Sequence, residues 1–129
     1  MNSTKNIMIV GVGGQGALLA SKTLGQVLLD AGFDVKVSEV HGMSQRGGSV
    51  VTYVRYGDKV SSPIVDKGQS DFIVSFEQLE AARYLEYLAP DGQVVTNTQT
   101  IDPMPVITGA ATYPENVIEK LKATGAKVD

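Results

Sequence analysis

Ile7-Met8-Ile9-Val10 runs directly into Gly11-Val12-Gly13-Gly14-Gln15-Gly16, and the fold class follows from that junction. The first four residues are apolar without interruption, three of them β-branched, and Lys5-Asn6 precedes them. Such a run is expected as a strand buried on both faces. From Gly14 to Ala31 the apolar spacing changes: Ala17, Ala20, Leu24, Val27 or Leu28, and Ala31 fall three or four apart, with Gly32 after them as a C-cap. That is the spacing of a helix. A second strand, Val35 to Val40, follows. Strand, glycine turn, helix and strand make a βαβ unit, whose two strands are expected to be parallel with a right-handed crossover.

Further along, Ser49 to Tyr56 is rich in Val, Thr and Tyr, Gly57-Asp58 forms a two-residue turn, and Lys59 to Ser62 is read as the return strand of a hairpin. Asp71 to Ser75 is again a buried strand. Ser75 and Gln78 have the spacing of a capping box, which predicts a helix through Leu88, halted by Pro90. Gln93 to Thr96 follows the Asp91-Gly92 turn as a short strand, and residues 98–112 read mostly as loop. Pro114 at a first helical position, Glu115 beside the positive helix end, Val117, Ile118 and Leu121 at helical spacing, and Gly125 as terminator predict a last helix. Ala126-Lys127-Val128 begins another strand. The expected architecture is α/β: a doubly wound, mostly parallel Rossmann-like sheet with a β-hairpin excursion. It is read as one domain over residues 1–129 that looks truncated at its C-terminus.

A chain of 129 residues with 43% apolar and 19% charged residues is sized for a single globular domain, without a separate substrate domain. Zero cysteines exclude disulfides, a cysteine nucleophile, and zinc or iron–sulfur centres held by thiolates of this sequence. One histidine, His41, leaves no multi-ligand transition-metal site, so no metal is expected. A net charge of −3 with scattered Lys and Arg gives no basic stripe for nucleic acid. The N-terminal apolar run stops at Gly11, too short for a signal segment or a membrane span, so a cytoplasmic protein is expected.

The turn satisfies G-x-G-x-x-G between a strand and a helix, the context that motif requires. Gly11, Gly13, Gly14, Gln15 and Gly16 are therefore candidates for an anion or nucleotide at a helix N-terminus. Glu39, about twenty residues on, stands where an acid would meet a ribose hydroxyl. The alternative is that the glycines serve only a tight turn and close packing. The second loop, Glu39-Val40-His41-Gly42-Met43-Ser44-Gln45-Arg46-Gly47-Gly48-Ser49, leaves the carboxyl end of the second strand. Its imidazole, guanidinium, amide and hydroxyls could contact a ligand or another subunit, with Arg46 as a bidentate donor. No catalytic residue is named, because the spacing specifies no reaction.

These motifs, with Val54-Arg55-Tyr56-Gly57, Ser62-Pro63, Phe76-Glu77-Gln78-Leu79-Glu80-Ala81-Ala82-Arg83, Asn97-Thr98 and Tyr113-Pro114, resemble in order the gamma-subunit domain of the 2-oxoacid:ferredoxin oxidoreductases. His41-Gly42-Met43-Ser44-Gln45-Arg46-Gly47-Gly48 is most similar to the indolepyruvate branch, where the corresponding chain is the beta subunit. The resemblance implies a non-redox subunit of a complex that decarboxylates an aryl 2-oxoacid oxidatively to its coenzyme A ester. It implies a large alpha subunit carrying thiamine diphosphate and Fe-S clusters, and ferredoxin as acceptor. It also implies that Gly13, Gly14 and Gln15 face an anionic portion of coenzyme A or of another ligand. His41, Ser44, Gln45 and Arg46, flanked by Glu39, Gly47 and Gly48, would then form an interface or ligand loop. A small NAD(P)-binding reductase, or a scaffolding subunit with a degenerate nucleotide loop, are the competing expectations.

Overall fold

The computed structural model describes residues 4–12, 16–41, 49–60, 65–97, 114–124 and 127–129. Its elements are β1 (Lys5–Val12), α1 (Ala17–Asp30), β2 (Asp34–His41), β3 (Ser49–Gly57), β4 (Ser70–Ser75), α2 (Gln78–Arg83), a 3-10 turn (Leu85–Tyr87), β5 (Leu88–Thr96), α3 (Val117–Ala123) and β6 (Lys127–Val128). They build one six-stranded mixed sheet in the order β2-β3-β1-β4-β5-β6. Pairing is antiparallel for β2 with β3 and for β3 with β1, and parallel for β1 with β4, β4 with β5 and β5 with β6.

β1 lies inside the sheet and is buried from Asn6 to Val12. Its alternation feeds two cores, as a pleated strand requires. Met8 and Val10 join Val51, Ile73, Ala81, Val94, Val117 and Leu121 on the side of α2 and α3. Ile7 and Ile9 join Val54, with Leu24, Leu28 and Val35 packed against them, on the side of α1. Fully burying one such Val or Ile side chain contributes roughly 2 kcal/mol.

α1 ends as the glycine signal predicts. Gly32 takes φ +94°, its N–H donates to Leu29 O at 3.0 Å, and Phe33 N–H donates to Leu28 O at 3.1 Å. This double closure satisfies the last carbonyls at a position a Cβ would strain. The face towards the sheet carries Ser21, Leu24, Gly25 and Leu28, whereas Val27 and Ala31 point to solvent. Of the paired expectation at 27 or 28, Leu28 is therefore the packing residue.

β1 and β2 run parallel as expected, with β3 lying between them and pairing with both. Other expectations are corrected. The antiparallel element is thus an interior strand rather than a hairpin to one side; of the expected return, Lys59 and Val60 belong to no strand, and Ser61 and Ser62 lie outside the described residues. Alternating Val, Thr and Tyr in β3 suit a strand covered on two faces as well as they suit a hairpin arm. The helix expected through Leu88 stops at Arg83; its cap is Glu77, whose Oε1 accepts the Glu80 N–H at 3.0 Å. Ser75 instead forms a local turn, its hydroxyl donating to Glu77 O at 2.5 Å. Tyr84 and Leu85, packed against the core beside that turn, end the short helix in a 3-10 turn. Finally, α3 begins at Val117 behind Asn116 in a left-handed conformation (φ 56°), so Pro114 precedes the helix.

The turn expected at Asp91-Gly92 is not found: both residues lie inside β5, which begins at Leu88, and there the pairing with β4 shifts register in a bulge. Ser70 stands opposite Leu88, and the ladder resumes with Phe72 opposite Gln93. A Cβ at Gly92 would lie 2.6 Å from Leu88 Cδ1 and 2.9 Å from Ser70 O, so the close strand approach needs glycine there. The short strand at the end is found: β6 runs parallel to β5, with Asp129 N–H donating to Val94 O and Thr96 N–H to Asp129 O, both at 2.8 Å. Residues 98–112, Gly125 and Ala126 lie outside the described residues. Among those described, no helix is long and apolar enough to cross a membrane.

Candidate functional site

β1, β2, β4 and β5 all point the same way, so their carboxyl ends, Val12, His41, Ser75 and Thr96, meet at one edge of the sheet. α1 leaves β1 over one face, and α2 leaves β4 over the other. Between adjacent β1 and β4 the connections depart in opposite directions, which opens a crevice outside the strand ends. Ligands of open α/β sheets bind at this position.

The expected site residues fall on this edge wherever the structure describes them. Gly11 is buried near the end of β1, and Gly16 heads α1 with φ 84°, its carbonyl accepting the Ala20 N–H at 3.0 Å. Gly16, at the N-cap, has no side chain to cap α1, and the first turn holds no acid. The positive end of the helix dipole therefore lies at the crevice with no acid of its own first turn beside it, an arrangement suited to an anion.

Glu39 is half-buried on β2, opposite Thr52, which in turn stands opposite Ile9 of β1. Two rows further on, Val50 stands between His41 and Gly11. The backbones at 41 and 11 are thus two strand spacings apart, roughly 10 Å. This register places the two motifs on one edge, which the sequence implied only through the direction of the strands. Gly13, Gly14 and Gln15 lie outside the described residues, as do Ser44, Gln45, Arg46, Gly47 and Gly48; so does the side chain of His41.

Three further residues line the same edge. Glu77 is 1% exposed at the end of β4, directly at the point where the connections diverge. Phe76 N–H donates to Val10 O at 3.0 Å and Asn97 N–H to Ser75 O at 2.9 Å, so the ends of β1, β4 and β5 are stapled in steps. The Glu77 side chain satisfies one of the first amides of α2, accepting the Glu80 N–H. The sequence carried a signal for Glu77, an acid three residues before Glu80, but Ser75 offered the more familiar capping pattern. Among the described residues, no group of three His, Cys, Asp or Glu could hold a metal ion. The edge can hold an anionic group against amides beside a carboxylate, and its described part presents no nucleophile paired with a base.

Comparison with known proteins agrees with this geometry. Indolepyruvate oxidoreductase subunit IorB of Pyrococcus horikoshii is 53% identical over 117 residues, covering 91% of this chain and 57% of that protein. The chain thus spans little more than half the length of the relatives it matches. Among solved structures, pyruvate oxidoreductase subunit PORC of Thermotoga maritima shares the fold at TM-score 0.61 and 22% identity, over 85% of this chain and 57% of its own. The 2-oxoglutarate:ferredoxin oxidoreductase of Magnetococcus marinus, solved with 2-oxoglutarate, coenzyme A and succinyl-CoA bound, does so at TM-score 0.63 and 18% identity, over 87% of this chain and 18% of its own. The family described as pyruvate ferredoxin/flavodoxin oxidoreductase matches residues 6–128. With the mixed sheet, the divergent connections and a match from β1 to β6, the chain belongs to the pyruvate ferredoxin/flavodoxin oxidoreductase family.

Proposed function

We propose that this chain is the non-redox subunit of an indolepyruvate:ferredoxin oxidoreductase. In that complex a large alpha subunit carries thiamine diphosphate and Fe-S clusters, and ferredoxin accepts the electrons. The observation that carries the reading is the 53% identity, over 91% of the chain, to a protein named as an indolepyruvate oxidoreductase subunit. The residues support the division of labour: the chain has no cysteine to ligate a cluster. Thiamine diphosphate and the clusters, when bound to the partner, supply carbanion stabilisation and electron transfer.

Coenzyme A is the ligand proposed for the crevice. The acid-free start of α1, behind a glycine N-cap, fits an anionic portion of it, with Gly11 and Gly16 shaping the approach and Gly13, Gly14 and Gln15 proposed to complete it. Glu39 and His41, with Ser44, Gln45, Arg46, Gly47 and Gly48, are proposed to face the partner or the same ligand. A cytoplasmic location belongs to this reading.

Reconstitution tests it. Mixing the chain with the large subunit should give indolepyruvate-dependent ferredoxin reduction that neither shows alone. Turnover by this chain alone, or no gain on mixing, overturns the proposal. Titration calorimetry tests the ligand separately: heat with coenzyme A and none with NAD is expected, and the reverse result points to an independent reductase.

A further inference from the structure

β2 is the outermost strand of the sheet, and from Asp34 to His41 it pairs with β3 on its inner side in unbroken register. Among the described residues no strand lies along its outer side, where a row of backbone N–H and C=O groups is turned outward. Alternation sends Val35 and Val37 to the α1 face and Asp34 and Lys36 to the other. A Cβ at Gly25 of α1 would lie 3.5 Å from Val37 Cγ2 and 4.0 Å from Val35 Cγ1. Phe33, one step before the strand, turns its ring to that same face, edge-on to Tyr56 at a centroid distance of 5.2 Å. Phe33 is 39% exposed, Val37 45%, and Leu29, one turn along α1 from Gly25, 51%. On the opposite face Lys36 Nζ lies 3.4 Å from Asp34 Oδ1, both side chains partly exposed. The stretch Phe33-Asp34-Val35-Lys36-Val37 therefore reads apolar, acid, apolar, base, apolar.

We propose that β2 pairs antiparallel with β2 of a second copy of this chain, centred on Val35, so that the two six-stranded sheets join into one. The occupant follows from the stretch being its own complement. A two-fold axis normal to the sheet keeps every residue on its own face, so the symmetric registers are those centred on a single residue. With Val35 opposite Val35 of the second copy, Phe33 stands opposite Val37, and Val37 opposite Phe33, on the α1 face. On the other face Asp34 meets Lys36 and Lys36 meets Asp34, and with the ion pair inside each copy the four charges alternate around a square. Side chains so opposed lie about 5 Å apart. Neighbouring registers lose the match: centring on Asp34 or Lys36 sets that charge against its own copy, and centring on Val37 or Ser38 sets a valine against Glu39. A lone Lys on an edge strand discourages pairing, but here the register that aligns the apolar row also gives that Lys an acid. Because the paired strands run oppositely, the two candidate edges face away from each other, with Glu39 and His41 clear of the central rows.

Sedimentation of the 129-residue chain at low salt, over a broad range of concentration, is expected to show a monomer–dimer equilibrium. Lys36→Glu, at an exposed site, sets like charges across both charged rows and should raise the dimer dissociation constant about tenfold or more. Val95→Glu, at a site 42% exposed on β5, should leave the dimer unchanged. Asp34→Lys should weaken self-association as Lys36→Glu does. Mixing those two variants should restore a dimer that neither forms alone, because each row then sets a base of one copy against an acid of the other. Asp34 also accepts the Val60 N–H, so amide exchange checks that its variant folds; if it does not, Lys36→Glu decides alone. A chain that stays monomeric throughout, or a dimer that Lys36→Glu leaves intact or Val95→Glu dissociates, overturns the proposal. So does a failure of the two folded variants to associate on mixing. No ligand or large subunit enters the measurement, so its failure leaves the subunit reading standing.

Discussion

Single groups explain where the molecule is tuned and where it is not. Asp34 accepts the Val60 N–H on Oδ2 at 2.8 Å, and that bond, opposed by partial desolvation and aided by Lys36, holds its carboxyl below the ordinary aspartate range. The native state therefore favours the carboxylate: its contribution is complete above that range and is lost as the pH falls through the lower native value. Urea unfolding between about pH 6 and about pH 3 should show a smaller loss of stability for Asp34→Asn than for the unaltered chain. Thr52 presents the opposite case, since its hydroxyl is fully buried and has no hydrogen-bond partner among the described residues. Replacing it by the isosteric valine should stabilise the fold by about 1 kcal/mol, read as a higher denaturation midpoint. At this scale the glycines were legible. Gly16 and Gly32 adopt the positive φ their positions suggested, because a missing Cβ is visible in sequence. Glu77 was not, because burial of a carboxylate depends on which strand ends surround it.

Elements were legible where periodicity is long and ambiguous where it is short. The α1 pattern fixed the helix but not which of two adjacent apolar residues faces inward. Leu28 packs against Ile7, Ile9 and Val54, whereas Val27 is 57% exposed. Leu28→Ala should cost about 2 kcal/mol of unfolding free energy. Val27→Ala should stay within about 0.5 kcal/mol, and chemical denaturation of the pair checks the orientation. α2, with six residues, lacks the length for a periodic signal, so its end at Arg83 is set by tertiary packing of Tyr84 and Leu85. The position of β3 was hidden for a different reason. Neighbourhood in a sheet is a non-local choice, and the residues of β3 satisfy either an edge or an interior place. The candidate edge followed from strand direction alone, so its location was readable before its detailed chemistry.

For the molecule as a whole, the place of β3 has a kinetic cost. β1, α1 and β2 are contiguous and parallel, so early in folding β2 can pair with β1 directly and occupy the gap that β3 needs. The native contact between Arg55 and Asn6 spans 49 residues, and loop closure on that scale is slow beside local pairing. Refolding should therefore show a slow phase, and a rollover at low denaturant, as the mispaired unit opens. Joining positions 39 and 52, which stand directly opposite each other in β2 and β3, by a disulfide in a Glu39→Cys, Thr52→Cys chain should remove that phase in stopped-flow refolding. The protein would then reach its native sheet by adding β1 to a finished ribbon instead of by unpicking a wrong one.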